Sequence, residues 1–161
     1  MWVAKLIVPY NKEMTLSEKA KRHGVTLMGY PLSHFSKGKK FYGLAAAYLV
    51  GDADAKKRFL KDLRKDKRAV KIDMMDESFG IWLMEQHPGI KILYDPLIIH
   101  VKPIVVSKDG ENIWTIASWD KKKLLLVSKL AQTKFFNGKL MSIKQEKIKN
   151  VSMMGLLPNL T

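Results

Sequence analysis

One pattern of hairpin, helix and strand occurs twice in this sequence, over residues 26–74 and again over residues 99–143. In the later copy, the turn at residues 107–110 ends in Asp-Gly between two apolar runs. This is a strong hairpin signal because glycine adopts positive φ without steric cost. A strand-like segment, 112–119, follows, and Asp120 is then a candidate helix N-cap. The helix predicted after it has one apolar stripe, made of Leu124, Val127, Leu130 and Ala131.

The earlier copy has the same order of signals. Residues 36–38 form its predicted turn and residues 41–50 its strand, and Asp52 or Asp54 is the candidate N-cap of the next helix. The apolar stripe of that helix consists of Ala55, Phe59 and Leu63. The two copies predict an ancient duplication. The alternative is that strand–helix–strand order recurs by chance, as it does in many α/β proteins.

Each copy is preceded by an apolar strand, at residues 2–8 in the first half and 79–85 in the second. A short helix, 16–23, follows the first of these strands, whereas the sequence leaves open whether a helix lies between Gln86 and Pro96. Each half therefore has the order β, short α, β, β, α, β. This order predicts an α+β fold of tandem ferredoxin-like halves, with two antiparallel sheets that each carry a packed helix.

The joint between the halves is predicted at Asp76-Glu77-Ser78, a segment too short to be a flexible linker. The predicted organisation is therefore a first half at 1–76, a second half at 77–150, and a C-terminal tail at 151–161. The tail is apolar without periodicity, and Gly155 and Pro158 interrupt it.

The chain is strongly basic, with 29 Lys plus Arg against 15 Asp plus Glu and a formal net charge of +14. Such a charge favours polyanions, notably nucleic acids, although a lysine-rich solvated surface produces the same count. There is no cysteine, no signal peptide pattern and no apolar run long enough for a bilayer. We therefore expect a soluble cytoplasmic protein with no membrane partner.

Motifs that would indicate chemistry are missing from the sequence. The four histidines do not form a metal-binding spacing, and no nucleophile elbow, dinucleotide fingerprint or P-loop occurs. The carboxylates fall mostly at predicted caps and turns. We therefore expect no catalytic residue, no metal ligand, no cofactor and no enzymatic activity.

A nucleic-acid-binding alternative depends on residues 37–43, KGKKFYG, which faintly resemble the basic and aromatic strand of an RNA-recognition motif. In this alternative the chain is a stand-alone basic protein that binds RNA or another single strand. Lys37, Lys39 and Lys40 would then contact the nucleic acid. The small residues that follow, 44–47, are instead typical of a strand covered by another element.

Three further segments carry a resemblance to a known family: SEKAKRHGVTL at 17–27, Gly51-Asp52, and KDGENIWT at 108–115. The aromatic-Thr pair Trp114-Thr115 after the Asp-Gly turn is the most specific of these features. The sequence resembles the N-terminal domain of archaeal bacterio-opsin-activator-like (Bat-type) helix-turn-helix transcriptional regulators. In that family the DNA-binding segment lies C-terminal to this domain, and this sequence lacks it.

The resemblance implies a regulatory input domain that acts as a sensor or in oligomerisation. DNA would be contacted through the missing C-terminal segment, and a small-molecule ligand and a homodimer would be the other partners. The resemblance does not identify ligand-binding residues.

Overall fold

The computed structural model of the chain describes residues 1–148. They form nine strands, three α-helices and one 3₁₀ helix. The strands are β1 (Trp2–Val8), β2 (Thr26–Lys37), β3 (Lys40–Val50), β4 (Ala69–Met74), β5 (Phe79–Gln86), β6 (Ile99–His100), β7 (Ile104–Val106), β8 (Asn112–Ser118) and β9 (Lys139–Gln145). The helices are α1 (Thr15–His23), α2 (Ala53–Lys65), the 3₁₀ helix (Pro88–Tyr94) and α3 (Lys121–Ala131). The predicted tail, 151–161, lies outside the described residues.

All nine strands of residues 1–148 belong to a single antiparallel sheet, ordered β4-β5-β3-β2-β7-β8-β1-β9, and β6 pairs with β8 beside this row. The prediction of two ferredoxin-like halves, each with its own sheet and packed helix, is therefore wrong. Strand β2 pairs with β7 in the middle of the sheet, from Leu27 opposite Val106 to Gly29 opposite Ile104. This pairing satisfies backbone groups that two separate sheets would leave at their edges.

The first strand of each chain half lies among strands of the other half. Strand β1 lies between β8 and β9, whereas β5 lies between β4 and β3. Strands β1, β2, β3 and β4 of the first half correspond to β5, β7, β8 and β9 of the second half. With these equivalences, the order of strands is the same from either end of the sheet. The predicted joint is the tight turn between β4 and β5, where the Asp76 carboxylate accepts hydrogen bonds from the N–H groups of Ser78 (2.8 Å) and Phe79 (2.7 Å).

The register shows that the packed helices share one face of the sheet. Directly opposed residues of antiparallel strands point to the same face, and one such row runs through Val8, Asn112, Val106, Leu27 and Leu49. Val8 belongs to the core under α3, whereas Leu27 and Leu49 belong to the core under α2. The molecule therefore has two layers, with two hydrophobic cores side by side between the sheet and the helices.

Several local predictions are confirmed. The Asp52 carboxylate accepts a hydrogen bond from the N–H of Ala55, and Asp120 accepts one from the N–H of Lys122. Helix α1 ends at Gly24, which has φ of 67°. Gly110 has φ of 82° in the predicted turn.

Within residues 1–148, no helix combines the length and the apolar character that a membrane crossing requires.

Candidate ligand-binding cavity

A cavity of about 480 Å³ lies in the helix-bearing layer, at the boundary between the two cores. Strands β2, β3, β5, β7 and β8 contribute its floor and walls. The first turn of α1 and the 3₁₀ helix close it on the opposite side. The size is within the range of roughly 300–1,000 Å³ that is typical of small-molecule sites.

The cavity exists because two adjacent strands, β2 and β3, carry very small side chains at this point. Gly29 of β2 and Gly43, Ala45 and Ala47 of β3 line it, and Gly29 lies directly opposite Ala47. A strand interior without bulky side chains allows another group to approach the backbone closely. The sequence contained this signal in the small residues of β3. These small residues indicated that another element packs over β3, but they did not indicate that a cavity remains between that element and the strand.

The walls are apolar and partly aromatic. Trp82, Trp114, Tyr94 and Phe135 contribute rings, and the two tryptophans are almost completely buried. The aliphatic lining includes Leu27, Met84, Ile90, Leu93, Ile104 and Val106. Such a surface takes up apolar ligands because their transfer from water is favourable in proportion to the buried area.

The 3₁₀ helix occupies the segment between Gln86 and Pro96, where the sequence left the presence of a helix open. His87 caps this helix, since its Nδ1 accepts a hydrogen bond of 3.0 Å from the N–H of Gly89. The imidazole stacks on Phe135 with ring centroids 4.1 Å apart. Burial lowers the pKa of His87, which favours the neutral ring on this side of the cavity.

Tyr94, at the end of the 3₁₀ helix, places its ring against the backbone of Gly43. A Cβ atom at position 43 would collide with the Tyr94 hydroxyl. Burial raises the pKa of Tyr94 to about 12, although the hydrogen bond from Gln86 Nε2 (3.4 Å) acts in the opposite direction. Tyr94 is therefore an uncharged wall of the cavity at physiological pH.

Among the described residues, the formally charged side chains on the lining are Glu13, Arg68 and Glu85. The Arg68 guanidinium donates to the Asp66 carboxylate at 3.2 Å and to the backbone carbonyl of Glu13 at 3.3 Å. A Glu85 carboxylate oxygen lies 3.8 Å from the Lys40 ammonium. Neighbouring protein groups thus engage Arg68 and attract Glu85, the Glu13 carboxylate adds a second negative charge, and the other described side chains on the lining carry no formal charge.

Asn112 is the polar exception in the row of core residues described above. It is only 5% exposed, it lines the cavity, and its neighbours across the sheet are Val8 and Val106. Its Nδ2 atom has no hydrogen-bond partner among residues 1–148. A buried amide donor without a partner is uncommon in folded proteins and calls for an explanation.

The histidines are dispersed over the fold. His23 Nε2 lies 2.8 Å from the Asp62 carboxylate, and His100 Nε2 lies 2.7 Å from the carbonyl oxygen of Leu93. His34 packs between the rings of Phe41 and Tyr94. In the part of the chain that the structure describes, no three His, Asp or Glu side chains group together as a metal site would require.

The lysines of the nucleic-acid alternative, Lys37, Lys39 and Lys40, are exposed at the β2–β3 hairpin and do not line the cavity. On the same hairpin Phe35 stacks on Tyr42, with ring centroids 4.9 Å apart. The structure therefore does not bring these lysines to the cavity. The sequence analysis did not predict which residues line the cavity.

No family model matches this sequence, and no curated protein or solved structure is significantly similar to it. The resemblance to Bat-type regulators stays a prediction.

Proposed function

We propose that this chain is a non-catalytic sensor domain that binds a small, predominantly apolar molecule in the cavity between its two cores. The observation that carries the proposal is the open space of about 480 Å³ over Gly29, Ala45 and Ala47. Unfilled apolar volume weakens a core, because the atoms around it lose packing contacts. A ligand that fills the volume would restore those contacts and stabilise the folded state.

The position of the cavity supports a regulatory role. Its lining includes residues from both chain halves, such as Ala45 of β3 and Trp114 of β8. Helix α1 and the 3₁₀ helix both contribute residues to its lining. A ligand in the cavity would contact both cores at once. It would therefore stabilise the conformations of the domain to which it binds more tightly.

The link to transcription is proposed on the resemblance to Bat-type regulators alone. In this proposal the domain works in the cytoplasm and transmits ligand binding to a DNA-binding segment that is not in this sequence. Ligand sensing accounts for the cavity, which oligomerisation alone would not require. Nucleic-acid contact through Lys37, Lys39 and Lys40 stays an alternative prediction.

The test uses the neutral dye N-phenyl-1-naphthylamine, whose fluorescence rises in an apolar environment. We expect saturable binding by the unmodified chain, with one dye molecule per chain. Ala45→Leu should abolish this binding, because the larger side chain fills the space above β3. The melting temperature of Ala45→Leu should be unchanged or higher, since the new methyl groups occupy existing volume.

Ala45→Ser is the matched control, because it changes polarity at the same position but leaves the volume almost unchanged. It should bind the dye. If Ala45→Leu folds and binds the dye as well as the unmodified chain does, the dye lies elsewhere and the cavity is not the binding site.

A further inference from the structure

The polar group in the cavity restricts the chemical class of its ligand, and this inference rests on the sensor function proposed above. Asn112 is on the face of β8 that also carries Trp114, two residues later along the strand. Both side chains are buried and both line the cavity. The Asn112 carboxamide is thus held among apolar groups, and its Nδ2 donates to no described residue.

Packing alone does not account for an asparagine at this position. The neighbouring members of its cross-strand row are Val8 on one side and Val106 and Leu27 on the other, all buried and apolar. A leucine of similar volume would fill the same place without a polar group to satisfy. A buried donor is retained without loss only if it gains a hydrogen-bond partner, and the adjacent cavity has room for one.

The remaining lining indicates the shape and charge of that partner. Gly29, Ala45 and Ala47 form a floor with little side-chain relief, and Trp82 and Trp114 supply ring surfaces beside it. Flat molecules lie well on such a surface, and aromatic rings favour other rings at stacked or edge-on geometry. Among the described residues, Arg68 is the cation on the lining and it already donates to the Asp66 carboxylate, whereas Glu13 and Glu85 add negative charge that disfavours an anionic ligand.

We propose that the ligand is a flat, uncharged ring compound with a carbonyl-type acceptor, and that the Asn112 carboxamide donates a hydrogen bond to this acceptor. Asn112 is then the residue that distinguishes such compounds from hydrocarbons of the same shape. A site built to hydrogen-bond one group rejects analogues that lack it, because the buried donor is otherwise left unpaired.

The test compares 9-fluorenone with fluorene, which have the same ring skeleton and differ in one carbonyl group. Fluorene-9-carboxylate is the charged member of the series. Binding is measured with the complete 161-residue chain by quenching of tryptophan fluorescence, because Trp82 and Trp114 both line the cavity. We expect 9-fluorenone to bind about tenfold more tightly than fluorene, and the carboxylate to bind more weakly than either.

Asn112→Leu is the diagnostic variant, since leucine keeps the volume but removes the donor. It should weaken 9-fluorenone binding about tenfold and leave fluorene binding unchanged or tighter. Thr115→Val, on the opposite face of the same strand, is the matched control and should change neither affinity. Retention of the native circular dichroism spectrum by both variants excludes loss of folding as the cause.

Equal affinities of the unmodified chain for 9-fluorenone and fluorene would overturn the role of Asn112 and leave the sensor function intact. An equal loss of affinity for 9-fluorenone and for fluorene in Asn112→Leu would also overturn the role of Asn112. Tightest binding by the carboxylate would overturn the assignment of an uncharged ligand. Failure of all three compounds to bind would overturn the ring class, and the sensor function itself fails only if N-phenyl-1-naphthylamine also does not bind.

Discussion

At the scale of single residues, two glycines with the same backbone conformation have different surroundings. Gly38 and Gly110 close equivalent hairpin turns in the two halves, with φ of 63° and 82°. A Cβ atom at Gly38 would meet nothing within 4 Å. At Gly110 it would lie 2.5 Å from the Tyr10 ring and 2.9 Å from the Ser17 carbonyl oxygen. The Ser17 hydroxyl also donates to the Gly110 carbonyl, which ties this turn to α1.

We therefore predict that Gly110→Ala destabilises the protein more than Gly38→Ala. The second variant measures the cost of positive φ for a residue with a Cβ atom, about 1 kcal/mol. The first adds the displacement of Tyr10 and of the start of α1, for a total of about 2–3 kcal/mol. Urea unfolding monitored by circular dichroism gives both values. Equal costs would mean that the contacts around Gly110 adjust freely.

At the scale of elements, α1 and α2 are joined by a group of charges around one carboxylate. Asp62 of α2 accepts hydrogen bonds from Lys19 and Arg22, each at 2.9 Å, and lies 2.8 Å from His23. Burial alone raises the pKa of Asp62. The hydrogen bonds from His23 and Lys19 and the charges of Lys19 and Arg22 outweigh this effect and hold the pKa well below its usual value.

We predict that Asp62→Asn destabilises the protein by about 1–3 kcal/mol near neutral pH, because the buried Lys19 loses the nearer of its two carboxylate partners and keeps Asp66, at 3.5 Å. The folded-state pKa of Asp62 is below the unfolded value of about 3.9. Its stabilising effect is therefore fully present above that pH and is lost as pH falls through the folded-state pKa. The difference in melting temperature from the unmodified chain should stay constant between about pH 6 and 5 and shrink below about pH 4.

Asp73→Asn, at an exposed position of β4, is the control for this pH series and should have little effect across it. A difference for Asp62→Asn that grows in acid would contradict the assigned role of the carboxylate.

At the scale of the whole molecule, the exchange of first strands makes each core depend on both chain halves. Leu6 and Val8 of β1 are completely buried in the core with Trp114 and Leu124 of the second half. In the other core, Trp82 of β5 packs among residues of α2 and β3 from the first half, including Phe59 with ring centroids 6.0 Å apart. Neither half contains all the strands of one complete core.

We accordingly predict that fragments 1–76 and 77–161 do not fold separately. Each would lack one strand from the interior of its part of the sheet and would expose the apolar face left uncovered. An equimolar mixture should regain the near-ultraviolet circular dichroism of the intact chain, and the recovery should depend on concentration. Cooperative unfolding of either fragment alone would show that the exchange is not required for a stable core.

The amino-acid sequence determined the local structure of this protein to a large extent. The Asp-Gly turn at Gly110, the caps Asp52 and Asp120, and the apolar stripes of α2 and α3 follow from neighbouring residues. They depend on backbone conformation and on short-range hydrogen bonds. The repeated order of elements follows from the same signals. Composition likewise determined the basic charge.

The tertiary structure alone decided which strands pair and where space remains between them. The alternation of apolar and polar residues along a strand shows which face is buried but not which strand lies beside it. The sequences of β1 and β5 therefore did not predict that each strand lies among strands of the other half. Two separate sheets and one continuous sheet satisfy the same local pattern, and only the pairing of β2 with β7 distinguishes them. The cavity and the unpaired Asn112 follow from that pairing, because it brings the small side chains of β2 and β3 beside β7 and β8 under an incomplete helical cover.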